Sequence, residues 1–252
     1  MGGCRVPAKA TTSGSRRGGA KKTGTTRAAR TTKAAQRAEM TEQILDAAEH
    51  LFSRDGLYGV TLKDVAERVG VHHTLVNYYF NDKQTLFDAV IARRAGVTSS
   101  ARMQALDAYE EACKGKPTVE GALRAFLDTD LDLYSQGGEA WKNYGALGAL
   151  MSNTRHGGEL MDQHFDPVVL RLIGLLKRAL PEAAEEDIFW GYHFVTGALM
   201  LTLARTGRID RLSGGLCRSD DYEAVKARMA KFMAAGFKTI CKPRNGTRTK
   251  SG

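Results

Sequence analysis

Between residues 41 and 90 the apolar positions fall into short helical blocks separated by a glycine. Leu62, Val65, Ala66 and Val69 recur at three- and four-residue spacing, so they share one face of a short helix. Thr61 stands just before that block, where a hydroxyl can accept from a free N–H of the first turn, and Gly70 follows it, where a left-handed residue can end the helix. A second short helix is predicted from about His72 to Tyr79, with Leu75 and Val76 facing inward. Ahead of both, Met40, Ile44, Leu45, Ala48, Leu51 and Phe52 form the stripe of a helix running from about residue 34 to 54 and ended by Asp55-Gly56.

After residue 83 the same period continues. Leu86, Phe87, Val90 and Ile91 begin one long helix to about 113, and Lys114-Gly-Lys-Pro117 breaks it. Further helices are expected at about 118–135, 139–154, 158–179, 184–206 and 220–241, bordered by Gly137-Gly138, Gly157-Gly158, Pro181, Gly214-Gly215 and Pro243. Pro167 should kink or split the third of these. Strand-type alternation and internal repeats are absent, so the expected fold is all-α.

Two short helices meeting at a tight glycine turn make a helix-turn-helix. The spacing is informative. Ala66 lies where the helices would touch, Gly70 comes four residues later, and Val76 six after that, placed to pack back on the first helix. With its flanks, the run resembles the DNA-binding head of the TetR (tetracycline repressor) family of transcriptional regulators. The matching residues are Phe52, Gly56, Thr61, Val65-Ala66, Gly70-Val71, Tyr79-Phe80, Asp82-Lys83 and Leu86-Phe87. Asn77 departs from the pattern, since many members carry a DNA-touching tyrosine there; it is read as a variant contact.

The resemblance implies a DNA-binding three-helix head over residues 36–82 and a helical effector-binding and dimerisation domain over 83–241. It also implies a homodimer on a palindromic operator, acting as a repressor released by a small, largely apolar effector. His73 and Thr74 fall at the family's base-reading positions, with His72 beside them. A histidine can donate to guanine N7 or O6, and a threonine methyl can pack on the thymine methyl. Asn77, Tyr78 and Tyr79 complete the helix face, the tyrosines offering O–H groups to phosphate. Thr61, Lys63 and Lys83 stand at neighbouring helix starts, where they can reach phosphate too. No metal is expected at His72-His73, because adjacent helical residues point about 100° apart.

Four residues of the middle segments are candidates for the effector site: Trp141, Tyr144, Met151 and His164. Rings with polar tips and a flexible methionine suit an apolar ligand with one polar end. Arg155, His156 and Arg171 are candidate anchors for a carboxylate or phosphate. Residues 185–207 are apolar nearly all round, and 222–241 carry apolar residues at helical spacing. Trp190, Phe194, Gly197 and Leu201 from the first segment, with Met229, Phe232 and Phe237 from the second, are the expected dimer contacts, Gly197 and Ala198 allowing close approach. The loop 212–221 resembles that of family members sensing fatty-acyl or steroid-like compounds, and Cys217 within it is expected to be buried.

Charge changes this picture only at the ends. Of 252 residues with a net charge of +9, residues 1–38 hold ten Lys/Arg and no acid, and 242–252 hold four more with no acid. Removing these fourteen cations leaves residues 39–241 at −5. Residues 1–35 and 242–252 therefore read as disordered basic arms able to add phosphate contacts. An alternative reading is a sequence-tolerant architectural DNA-binding protein that uses those arms. Cys4, Cys113, Cys217 and Cys241 follow no C-x-x-C spacing, which fits a reducing cytoplasm. No secretory signal or membrane-length apolar run is evident. No phosphate-binding glycine loop, zinc-protease motif or nucleophile turn occurs, so neither an enzyme nor a cofactor is expected.

Overall fold

The computed structural model describes residues 25–242, with side chains from residue 32 onward. The expected arms over residues 1–24 and 243–252 lie outside the described residues. The chain divides into two units, residues 1–40 and 41–252. Every element described is a helix, as the apolar period requires.

Helix α1, Thr25–Gly59, starts ten or so residues before the expected point. The low-complexity composition of that stretch concealed its alanines and arginines, which favour helix. Within the first unit, side chains 32–39 are all exposed. The helix breaks at Gly56, where φ is 68°.

Helices α2 (Leu62–Val69) and α3 (His73–Phe80) form the predicted corner. Gly70 has φ 82° and ψ 31°, a left-handed conformation that L-residues adopt at a cost. It lets the Gly70 and Val71 N–H groups both donate to the Ala66 carbonyl, at 2.9 and 3.0 Å. Val65, Ala66 and Val76 are sealed between the helices. Phe52 and Phe87 meet edge-to-face at 5.1 Å and fill the space beneath.

Helix α4, Lys83–Ala112, is 30 residues long and leads out of the head. The bundle follows as α5 (Val119–Gln136), α6 (Gly138–Met151), α7 (Arg155–Ala179) and α8 (Glu185–Leu203). Short helices α9 (Arg208–Leu212) and α10 (Tyr222–Lys226) precede α11 (Met229–Ile240). Pro167 neither splits α7 nor ends it. It lies on the exposed side, so the carbonyl one turn back that it leaves unpaired faces water. Cys217 is exposed, contrary to the expectation of burial; it lies on the rim of a groove shared with Met229 and Phe232 of α11. No described helix is long and apolar enough to cross a membrane.

A buried carboxylate joins the first helix of the head to α4. Glu49 of α1 is 2% exposed. It accepts from Arg93 Nη2 at 2.6 Å and Arg94 Nε at 2.9 Å, both on α4. Arg93 Nη1 also reaches Asp46 at 2.8 Å. A second link lies one turn into α4, where Asp88 Oδ1 and Gln84 meet His156 at the start of α7, the Asp88 contact being 2.9 Å.

Truncating one member of such a cluster strands the others' charge. Glu49→Ala is expected to cost on the order of 3 kcal/mol, lowering the thermal midpoint by on the order of 10 °C. Differential scanning calorimetry checks this, and an unchanged midpoint would show that Arg93 and Arg94 are already solvated.

Candidate nucleic-acid interface and ligand cavity

The face of α3 away from Val76 is polar and exposed. His73, Thr74 and Asn77 lie on it, and Tyr78 is 69% exposed. Its ring packs edge-to-face on Tyr79 at 5.6 Å, and Tyr79 is half-buried. His72 is not in the helix but caps it. Its Nδ1 accepts from the Thr74 N–H at 3.5 Å and lies 2.9 Å from the Thr74 hydroxyl. An accepting Nδ1 places the ring proton of neutral His72 on Nε2, which remains a donor. The His72 and His73 rings lie against one another at 4.4 Å. Among the described residues no cluster of three metal-ligating side chains occurs.

Thr61 caps α2, as its place before Leu62 predicted. Its hydroxyl accepts from the Asp64 N–H at 3.2 Å and donates to Asp64 Oδ2 at 2.8 Å. The Thr61 N–H donates to the same oxygen at 2.8 Å, completing a capping box. These bonds hold the Asp64 carboxyl below its ordinary value of 3.8. Asp82 caps α4 in the same way, accepting from the Thr85 N–H at 2.7 Å, and that bond lowers its carboxyl too. Lys63 is exposed in the first turn of α2, and the Lys83 ammonium lies over the Tyr58 ring at 5.9 Å. The caps fix the starts of α2, α3 and α4.

In the bundle, two of the four candidate effector residues come together. Tyr144 and Met151 line a small hollow with Tyr134, Arg102 and Asp130. Trp141 lies outside that lining, between the Arg94 guanidinium (5.0 Å) and the Tyr144 ring (6.0 Å). His164 lines none of the cavities described, and its carbonyl accepts from the Ser99 hydroxyl at 3.0 Å. Of the three candidate anchors, His156 is bonded to Asp88 and lines a separate hollow that Met151 also lines, Arg171 is bonded to Asp107 and Glu110, and Arg155 is exposed. The buried cation of the bundle is Arg102, which sequence reasoning missed. Its ion pair to Asp130 spans two helices, and nothing local marks either residue. Burial pushes the Asp130, Tyr134 and Tyr144 groups upward.

The seven expected dimer contacts divide. Trp190 (52%), Phe194 (54%), Leu201 (69%) and Phe232 (74%) are exposed, as is Gly197. Met229 is half-buried. Phe237 is 1% exposed and belongs to the chain's own core, so its assignment to a dimer face is corrected. It fills the notch left by Gly191, where an added Cβ would come 2.3 Å from its ring.

Two family descriptions match this chain. Residues 44–90 match the bacterial regulatory proteins of the tetR family, and residues 124–236 match the tetracyclin repressor-like C-terminal domain. Together they span more than half of it. The chain is 24% identical over 166 residues to the HTH-type transcriptional regulator BetI of Escherichia coli O17:K52:H18, covering 66% of this chain and 83% of that one. It is 25% identical over 180 residues to BetI of Paraburkholderia phytofirmans, covering 71% and 89%. The solved structure of HlyIIR, a hemolysin II transcriptional regulator, superposes with a TM-score of 0.52 at 15% identity, covering 82% of this chain and 99% of that one.

The caps predict an acid limit for the head. A carboxyl whose folded pKa is depressed stabilises above its ordinary value, and that contribution is lost as pH falls through the folded pKa. Carboxyl NMR titration should therefore place the Asp64 and Asp82 midpoints below 3.8. Midpoints at or above that value would mean the capping bonds do not persist in solution.

Proposed function

The chain belongs to the TetR family of DNA-binding transcriptional regulators, and from that premise we propose a homodimeric, cytoplasmic repressor released from a palindromic operator by a small apolar effector. In this reading residues 36–82 bind DNA, and residues 83–241 bind effector and pair the subunits. The observation that carries it is the exposed face of α3, with His73, Thr74, Asn77 and Tyr78 mounted on a sealed Val65–Ala66–Val76 corner. A rigid scaffold beneath a hydrogen-bonding face is what base reading in the major groove needs. His73 and Thr74 take base edges, with His72 Nε2 beside them. Lys63, Lys83 and Tyr78 take phosphate, while Thr61 acts chiefly as the cap that orients Lys63.

Pairing is assigned to the α8–α11 face. Residues 190, 194, 197 and 201 recur at helical spacing, so their exposed side chains form one stripe. A groove of about 580 Å³ lined by Leu201, Ile209, Leu216 and Phe232 continues it. Exposed apolar surface of this extent on a soluble chain is accounted for by a second subunit. Effector in the bundle would act on the heads through α4, by favouring one of two head spacings. The route supported by contacts is Tyr144 to Trp141 to Arg94 to Glu49 of α1.

Footprinting on genomic fragments tests the reading. One or a few palindromes should be protected, whereas uniform coating would favour an architectural role. His73→Ala or Thr74→Ala should change the preferred sequence. Lys83→Ala should weaken all sites alike and reduce the salt slope by about 1. Leu201→Glu should sediment as a monomer and lose operator protection. An unchanged salt slope for Lys83→Ala, or a wild-type monomer, would contradict the proposal.

A further inference from the structure

Two adjoining hollows in the bundle, a narrow and a wide one, share the lining residues Arg102, Met161, Phe165 and Met200. The narrow end, about 30 Å³, is closed by Tyr134 and Tyr144. The wide end, about 270 Å³, is walled by Phe126, Val169 and Leu199. Most of the wall is apolar. The narrow end carries the Arg102–Asp130 ion pair, and the wide end also carries Asp162 and Asp166.

Arg102 and Asp130 have side chains 7% and 2% exposed and are bonded through Nη2 and Oδ2. The Arg102 guanidinium also stacks over Phe126 at 4.2 Å. Tyr134 donates to Asp130 Oδ2 at 3.2 Å. Yet Arg102 Nε and Asp130 Oδ1 are both buried with no hydrogen-bond partner. A buried donor and a buried acceptor left unmet each destabilise the fold. Both belong to residues that line the cavity.

We infer that this cavity takes an uncharged, largely apolar molecule whose buried end carries a hydroxyl, received by Arg102 and Asp130. The inference deepens the effector reading above and rests on it for its biological role. The chemistry selects among ligand ends. A carboxylate only accepts, so it would leave Asp130 Oδ1 unmet; an ammonium only donates, so it would leave Arg102 Nε unmet. A hydroxyl both donates and accepts. The ion pair already balances its own charge, and the carboxylates that line the wide end, Asp162 and Asp166, oppose an anion. The apolar chain would lie among Phe126, Phe165 and the methionines, which adapt in shape.

The test is calorimetric titration of the full chain, without DNA, with decyl alcohol, decyl methyl ether, decylamine and decanoate. Decyl alcohol should bind about tenfold or more tightly than the other three. Replacing the pair together, Arg102→Leu with Asp130→Leu, should abolish the preference for alcohol over ether while retaining binding of the chain; paired removal avoids stranding one charge. Equal affinity for alcohol and ether in the wild type, tighter binding of decanoate or decylamine, or no binding of any probe overturns the inference. If decyl alcohol binds as expected but leaves operator binding unchanged, the inference stands and the effector-release reading fails.

Discussion

One buried carboxylate ties the molecule together. Glu49 leaves water almost completely, and it is held there by two guanidiniums from the next long helix. Desolvating a carboxylate is costly, and the ion pairs offset that cost only while both helices keep their register. The head is therefore not a bead on a flexible thread. Its first helix is clamped to α4, and α4 is the longest uninterrupted element of the second unit. A shift of α4 must move α1, and with it the corner on which α3 is mounted.

The same clamp faces the bundle. Arg94 bonds Glu49 on one side and lies over the Trp141 ring on the other. Trp141 in turn borders Tyr144, which closes the narrow end of the cavity. A second polar bridge, Asp88 to His156, joins α4 to α7 close to the head. Packed interiors respond to a new occupant by changing between discrete arrangements and not by yielding gradually. A ligand that meets Arg102 and Asp130 would act on the wall from which this chain of contacts begins. The Arg102–Asp130 pair is poor as a source of stability, being buried and incompletely bonded. It makes more sense as a feature that selects what enters.

The head was legible because its determinants are local. Thr61, Asp64 and Gly70 lie within one short segment, and capping and left-handed glycine geometry depend on neighbours in the chain. The helical period marked the bundle segments for the same reason. The polar core was not legible. Arg102 and Asp130 are 28 residues apart and meet only through the phases of two packed helices. His72 read as a contact residue; that its Nδ1 also caps α3 was not legible. Phe237 shared a stripe with Phe232, but the notch at Gly191 on a neighbouring helix draws it inward. Trp141 and His164 looked suited to a ligand by type, and only three-dimensional packing shows them outside the cavity lining.

In the proposed function, DNA at α3 and the interior of the bundle report to each other through Glu49, Arg94 and Trp141. The chain has two tryptophans, so in Trp190→Phe selective tryptophan excitation reports Trp141 alone, stacked beneath Arg94. Operator DNA titrated into that variant should change the Trp141 emission maximum and quenching, and adding Glu49→Gln should suppress the change while leaving DNA binding measurable. A Trp141 spectrum that stays the same at saturating operator would contradict that coupling.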